Sequence, residues 1–227
     1  MNRSFALPWY EQNLRWLLAW AEGSQRALEF GCGVGWMTAA LTRAGIPTLG
    51  IDLSEEKILH ARDQHPDAAF EVLELREGTF APGTFDFVVS NQVLEHVPDL
   101  ETVLADLHRA TAPAARAFFS VPNGFGLYCL LYDRLAGALG RESEHEQFRS
   151  LSQWTQAFRQ GGFRVEKVLT QNVLPYRLLP GGAQRRLASP IHGLNRALCA
   201  LTPAAWASAF FFCLTRIDAP DQAAARS

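Results

Sequence analysis

An acid two residues ahead of three alternating glycines, Glu29 before Gly31, Gly33 and Gly35, is the arrangement in this chain with the clearest chemical use. Glycine tolerates positive φ and lets a ligand approach bare backbone, which a Cβ would prevent. A carboxylate beside such a loop repels phosphate and suits a ligand that carries an ammonium group. A dinucleotide-binding loop is spaced G-x-G-x-x-G or A, and its last small residue lets helix and strand pack closely around a pyrophosphate. Trp36 stands at that position, so a pyrophosphate fits poorly. The plain alternative is a tight turn that binds nothing.

Two further groups have usable chemistry. Asp52 ends a second apolar run, about 20 residues beyond the glycines, where nucleotide-binding βαβ units grip a ribose diol. A carboxylate offers only acceptors and can take both hydroxyl protons; the competing reading of Asp52 is a helix cap. Asn91 and Gln92 follow the buried run Phe87-Val88-Val89, at the strand end where open α/β sheets keep their ligands. His96, a few residues on, and His145 are the candidate general bases. For His96 the alternative is a histidine packed at a helix start. No carboxylate–histidine or cysteine set has metal-ligand spacing, so no metal is expected.

The elements that must hold these groups alternate regularly. Ala27–Phe30, glycine turn, then Met37, Ala40 and Leu41 at helical spacing read as strand, turn, helix. Strands are expected at 48–51, at 69–73, from Phe85 through the buried run 87–89, and at 116–121, 163–169 and 209–217, with helices at 55–64, 100–110 and 150–159 between them. Such alternation implies a parallel sheet with right-handed crossovers. An amphipathic helix over 7–21 carries Leu14, Leu17 and Leu18 on one face. Its aromatics, including Trp9 and Tyr10, are expected to pack on the sheet edge, or alternatively to cover the site. Phe210, Phe211 and Phe212 are consecutive, so the last strand should be buried on both faces.

With these residues in view the chain resembles the class I S-adenosylmethionine-dependent methyltransferases, in the branch that methylates small molecules such as quinone rings and sugars. The resemblance rests on Glu29-Phe30-Gly31-Cys32-Gly33-Val34-Gly35 and on Phe85 to Val97, which matches F-D-x-V-x-S-x-x-V-L-E-H-V. It implies a Rossmann-like, doubly wound α/β sheet of seven strands, the last antiparallel, with helices on both faces and helical cover insertions. It implies S-adenosyl-L-methionine as cofactor: Glu29 at its ammonium, Gly31, Gly33 and Gly35 along the methionine and ribose, Asp52 at the ribose and Leu53 against the adenine. It places Glu74 and Leu75 at the adenine edge, where family members commonly carry aspartate and alanine, and Asn91 and Gln92 at the methionine half. The Asn/Asp-Pro-Pro-Tyr/Phe signature of enzymes that methylate base or glutamine nitrogens is absent.

Size and composition agree with one domain. The 227 residues suffice for one α/β core, and 48% hydrophobic with 19% charged residues is ordinary for a globular chain. A net charge of −2 argues against nucleic acid as partner. The expected organisation is an N-terminal helix at 1–23, a cofactor-binding half at 24–122, substrate-cover insertions at 123–150 and 171–208, and a flexible tail at 218–227. The second insertion carries Arg177, Arg185, Arg186 and Arg196; contact with a membrane surface is the less favoured reading, a solvated cover the favoured one. Scattered cysteines and no apolar leader point to a cytoplasmic protein. The expected activity is methyl transfer to an oxygen, nitrogen or carbon of a small, partly hydrophobic acceptor. A non-catalytic cofactor-binding relative and an NAD-dependent oxidoreductase are the alternatives.

Overall fold

The computed structural model describes residues 8–123, 125–126, 147, 149–171 and 207–218, with side chains from residue 11 onward. In chain order the elements are α1 (Pro8–Ala21), β1 (Ala27–Phe30), α2 (Trp36–Arg43), β2 (Thr48–Asp52), α3 (Glu55–Gln64), β3 (Ala69–Val72) and β4 (Phe85–Asn91). A short 3₁₀ turn (Leu94–His96) precedes α4 (Leu100–Ala110), β5 (Thr111–Pro122), α5 (Leu151–Gln160), β6 (Phe163–Gln171) and β7 (Ala209–Arg216).

The seven strands form one sheet in the order β3-β2-β1-β4-β5-β7-β6. The first five pair in parallel, and β7 slots antiparallel between β5 and β6. Strand order therefore reverses between β1 and β4, which opens a crevice at their carboxyl ends.

Alternation along the strands builds a core on each face. Leu28, Val88, Phe119, Phe212 and Leu214 point to one side and pack with Leu104 of α4 and with Trp154 and Phe158 of α5. Their neighbours Ala27, Phe87, Val89, Phe118, Phe211 and Cys213 point to the other side, onto Leu17 of α1 and Met37 and Leu41 of α2. Phe210, Phe211 and Phe212 are all at most 2% exposed, as expected of a strand covered on both faces. Trp20 of α1 donates its indole N–H to the Ala117 carbonyl at 3.0 Å, which fixes the helix to β5.

Several boundaries differ from the sequence reading for local reasons. β5 starts at Thr111 rather than 116: Phe85 pairs with Thr111 and Phe87 with Arg116, so the extra residues around Pro113 bulge outward. Ala114 takes a positive φ of 58° within that bulge. β4 starts at Phe85 as expected, and the Asp86 carboxylate accepts the backbone N–H groups of Gln25 and Arg26 there, at 2.7 and 2.9 Å. Ser150 is the N-cap of α5 rather than its first residue, in a reciprocal capping box with Gln153.

Among the described residues, no helix is long and apolar enough to cross a membrane. Nearly all of the two expected covers, with His145 and the four arginines, lies outside the described residues, as do the side chains of Trp9 and Tyr10 and the tail from residue 219.

Candidate functional site

A cavity of about 990 Å³ lies at the carboxyl edge of β1, β2 and β4. Its lining includes Glu29, Gly31, Gly33, Asp52, Leu53, Glu74, Leu75, Asn91, Gln92 and His96. Of the residues singled out from the sequence, only Gly35 and His145 are missing from that set, the latter because it is not described.

The three glycines do different work. Gly33 has φ +52°, and a Cβ there would meet nothing within 4 Å, so its backbone is bare toward open space. Gly31 has φ +72°, and a Cβ would strike the Val93 side chain at 2.5 Å. Gly35 has φ +82°, and a Cβ would run into the Phe70 ring at 2.5 Å and Ala61 at 3.1 Å. Gly35 is thus placed for packing, outside the set that lines the cavity. It sits behind the turn and supplies the close helix–strand approach that a dinucleotide loop takes from the position of Trp36. Trp36 itself lines the cavity at 42% exposure and packs edge-to-face on His65, 5.2 Å between centroids.

Gly35 is also the N-cap residue of α2, and it has no side chain to offer the free N–H groups of the first turn. Glu29 supplies the missing acceptor from β1. Its Oε2 takes the Thr38 backbone N–H at 2.7 Å and also the Thr38 hydroxyl. The carboxylate is 3% exposed. Burial pushes its pKa up to about 7; the two Thr38 bonds pull it down and the nearby Asp52 charge adds to the rise. Thr38 carried no signal in the sequence beyond lying nine residues after Glu29.

Asp52 is held just as closely. Its Oδ2 accepts the Gly33 N–H and its Oδ1 the Ser54 N–H, both at 2.9 Å. Ser54, not Asp52, caps α3, accepting from the Lys57 N–H at 3.3 Å. Asp52 thus bridges the glycine turn to the start of α3 with remaining lone pairs available to hydroxyl donors. Leu53 beside it is 71% exposed and forms an apolar wall of the cavity. Leu75 is buried, and Glu74 forms an exposed ion pair with Arg76 at the rim.

On the β4 side, Asn91 and Gln92 share one partner. The buried Ser120 of β5 donates its hydroxyl to Asn91 Oδ1 at 2.6 Å and accepts from Gln92 Nε2 at 3.4 Å. Gln92 has a positive φ of 54°, and its N–H is bonded to the Ser120 carbonyl at 2.9 Å. His96 ends the 3₁₀ turn with its side chain 43% exposed, Nε2 3.9 Å from the buried Glu95 carboxylate. Among the described residues, no three His, Cys, Asp or Glu side chains are grouped to hold a metal ion. Cys32, next to the glycines, is buried and free, its thiol pKa pushed up by burial and the neighbouring acids.

Comparisons with known proteins agree with this geometry. The chain is 38% identical over 104 residues to the ubiquinone biosynthesis O-methyltransferase of Methylococcus capsulatus, covering 44% of each. It is 29% identical over 104 residues to the malonyl-[acyl-carrier protein] O-methyltransferase of Erwinia billingiae, covering 46% of this chain and 41% of that one. The chain thus spans under half the length of these curated relatives. In fold it is similar to an S-adenosylmethionine-dependent methyltransferase from Mesorhizobium loti, with a TM-score of 0.63 at 20% identity, over 91% of this chain and 97% of the other. A family profile described as a methyltransferase domain matches residues 5–168, most of the chain. A seven-stranded sheet with β7 antiparallel, a glycine turn flanked by two anchored acids, and this match together make the chain a member of the methyltransferase domain family, with the class I S-adenosylmethionine-dependent fold.

Proposed function

We propose that the cavity binds S-adenosylmethionine and that the chain transfers its methyl group to an oxygen of a small, partly apolar acceptor. The observation that carries this reading is the pair of acids, Glu29 and Asp52, flanking the glycine turn. Each is already fixed by backbone N–H groups, and open space lies over Gly33. The donor set fits the cofactor. Asp52 would hold a ribose diol, Leu53 and Leu75 would supply apolar surface for a purine, and Glu29 suits an ammonium group. The choice of oxygen follows the names of the relatives that match the cofactor half.

When bound, the cofactor supplies a methyl group already activated by a sulfonium. The chain's own part is alignment, and orienting two reactants can contribute roughly 7–11 kcal/mol. Glu29, Asp52, Asn91 and Gln92 hold the donor's two ends. His96 reaches the cavity from the 3₁₀ turn and is the general base assigned to the acceptor hydroxyl. Calorimetry with S-adenosylhomocysteine and with NAD separates this reading from an oxidoreductase: heat is expected with the first only. A turnover screen across phenols, quinone precursors, fatty acids and sugars, read by a mass gain of one methyl, then identifies the acceptor. Binding without turnover on any of these would favour a non-catalytic relative.

A further inference from the structure

Ser120 is fully buried in β5, lies outside the cavity lining, and among the described residues is the one bonded to both amides at the end of β4. Its hydroxyl has a single proton, and that proton goes to Asn91 Oδ1 at 2.6 Å. Its lone pair then takes a proton from Gln92 Nε2 at 3.4 Å. A primary amide has a donor end and an acceptor end, so fixing one end decides what the other presents. With Oδ1 committed, Asn91 offers the cavity its N–H₂ donor; with Nε2 committed, Gln92 offers its Oε1 acceptor. Neither atom has another partner among the described residues. Without the hydroxyl both amides are free to turn over, and a pre-set pattern becomes a mixture.

The backbone reinforces the arrangement. Gln92 sits at φ 54°, a region costing an L-residue about 1–2 kcal/mol. Its N–H is tied to the carbonyl of the same Ser120 at 2.9 Å. Strain of this kind persists only where the surroundings over-determine it, and it gathers at ligand sites. Ser120 therefore holds Gln92 twice, by main chain and by side chain.

A donor beside an acceptor, at the cavity end near Glu29, complements an α-amino acid: the donor for its carboxylate, the acceptor for its ammonium. Resting on the cofactor reading above, we infer that Ser120 is a positioning residue. It sets the orientation of Asn91 and Gln92 so that their end of the cavity recognises the amino-acid part of the cofactor, while Asp52, Leu53 and Leu75 take the adenosine.

The test compares two ligands that share the adenosine thioether and differ in the amino-acid tail, S-adenosylhomocysteine and methylthioadenosine. Ser120→Ala is expected to weaken the first about 5- to 20-fold and leave the second unchanged. Ser120→Thr, which keeps the hydroxyl, restores the first. In a chain already carrying Asn91→Ala and Gln92→Ala, adding Ser120→Ala changes S-adenosylhomocysteine affinity by less than about twofold, since additivity fails for residues acting through one another. Equal losses for both ligands, or a full extra loss in the double-alanine background, would mean a general structural role and overturn the inference. Wild-type binding with an indifferent Ser120→Ala overturns the positioning role alone; wild-type protein that binds neither ligand overturns the cofactor reading with it.

Discussion

Glu29 of β1 caps the helix that begins after the glycine turn, its Oε2 accepting both the backbone N–H and the hydroxyl of Thr38. The glycine that makes the turn possible is also the reason the helix cannot cap itself. One carboxylate therefore closes the fold at this point and also lines the cavity.

This double duty has a pH signature. The folded protein raises the Glu29 pKa from 4.5 to about 7, so the proton is bound more tightly in the folded than in the unfolded state. The stabilisation is complete below the unfolded value and is lost as pH rises through the folded one, about 3 kcal/mol in all. Urea unfolding of wild type and Glu29→Gln, at about pH 5 and about pH 8.5, measures it. The wild type should fall behind the variant at the higher pH, with the gap closing at the lower.

An ammonium group next to Glu29 favours the charged carboxylate, so S-adenosylhomocysteine should bind more tightly as pH rises through about 7. Binding just below that pH should release a proton. Calorimetry in two buffers of different ionisation heat detects the release, and it should vanish in Glu29→Gln.

The glycines separate folding from binding. Gly33→Ala should cost about 1–2 kcal/mol for its positive φ, keep the fold and lose most cofactor affinity, because the new methyl enters open space. Gly35→Ala should cost about 2–4 kcal/mol, since its methyl meets Phe70 and Ala61 in addition to the backbone strain. Thermal melts with and without S-adenosylhomocysteine distinguish them.

His96→Gln should lower kcat roughly 10²- to 10⁴-fold on the acceptor found by the screen while leaving cofactor affinity within about twofold. An unchanged kcat would remove His96 from the chemistry and leave its place to another group.

The sheet was legible because the strands carry long apolar runs, and the helix expected over 100–110 is the one observed, capped by Asp99. The acids and the turn were legible because their chemistry is local. The rest depends on contacts far apart in the chain. The packing of Gly35 against Phe70 left no trace near it in the chain, and Thr38 was missed because its reason is Glu29. The early start of β5 was hidden by Pro113, which reads as a breaker until a bulge accommodates it. Ser120 was invisible: a serine inside an apolar strand shows nothing of two amides across the sheet.

If the proposed function holds, the crevice between β1, β2 and β4 is built for an adenosyl amino acid. A crystal structure of the protein grown with S-adenosylhomocysteine tests it most directly. Ribose hydroxyls are expected within hydrogen-bonding distance of Asp52, and the amino-acid end between Glu29 and the Asn91–Gln92 pair. A ligand bound elsewhere, or a crevice closed by side chains at saturating ligand, would contradict it.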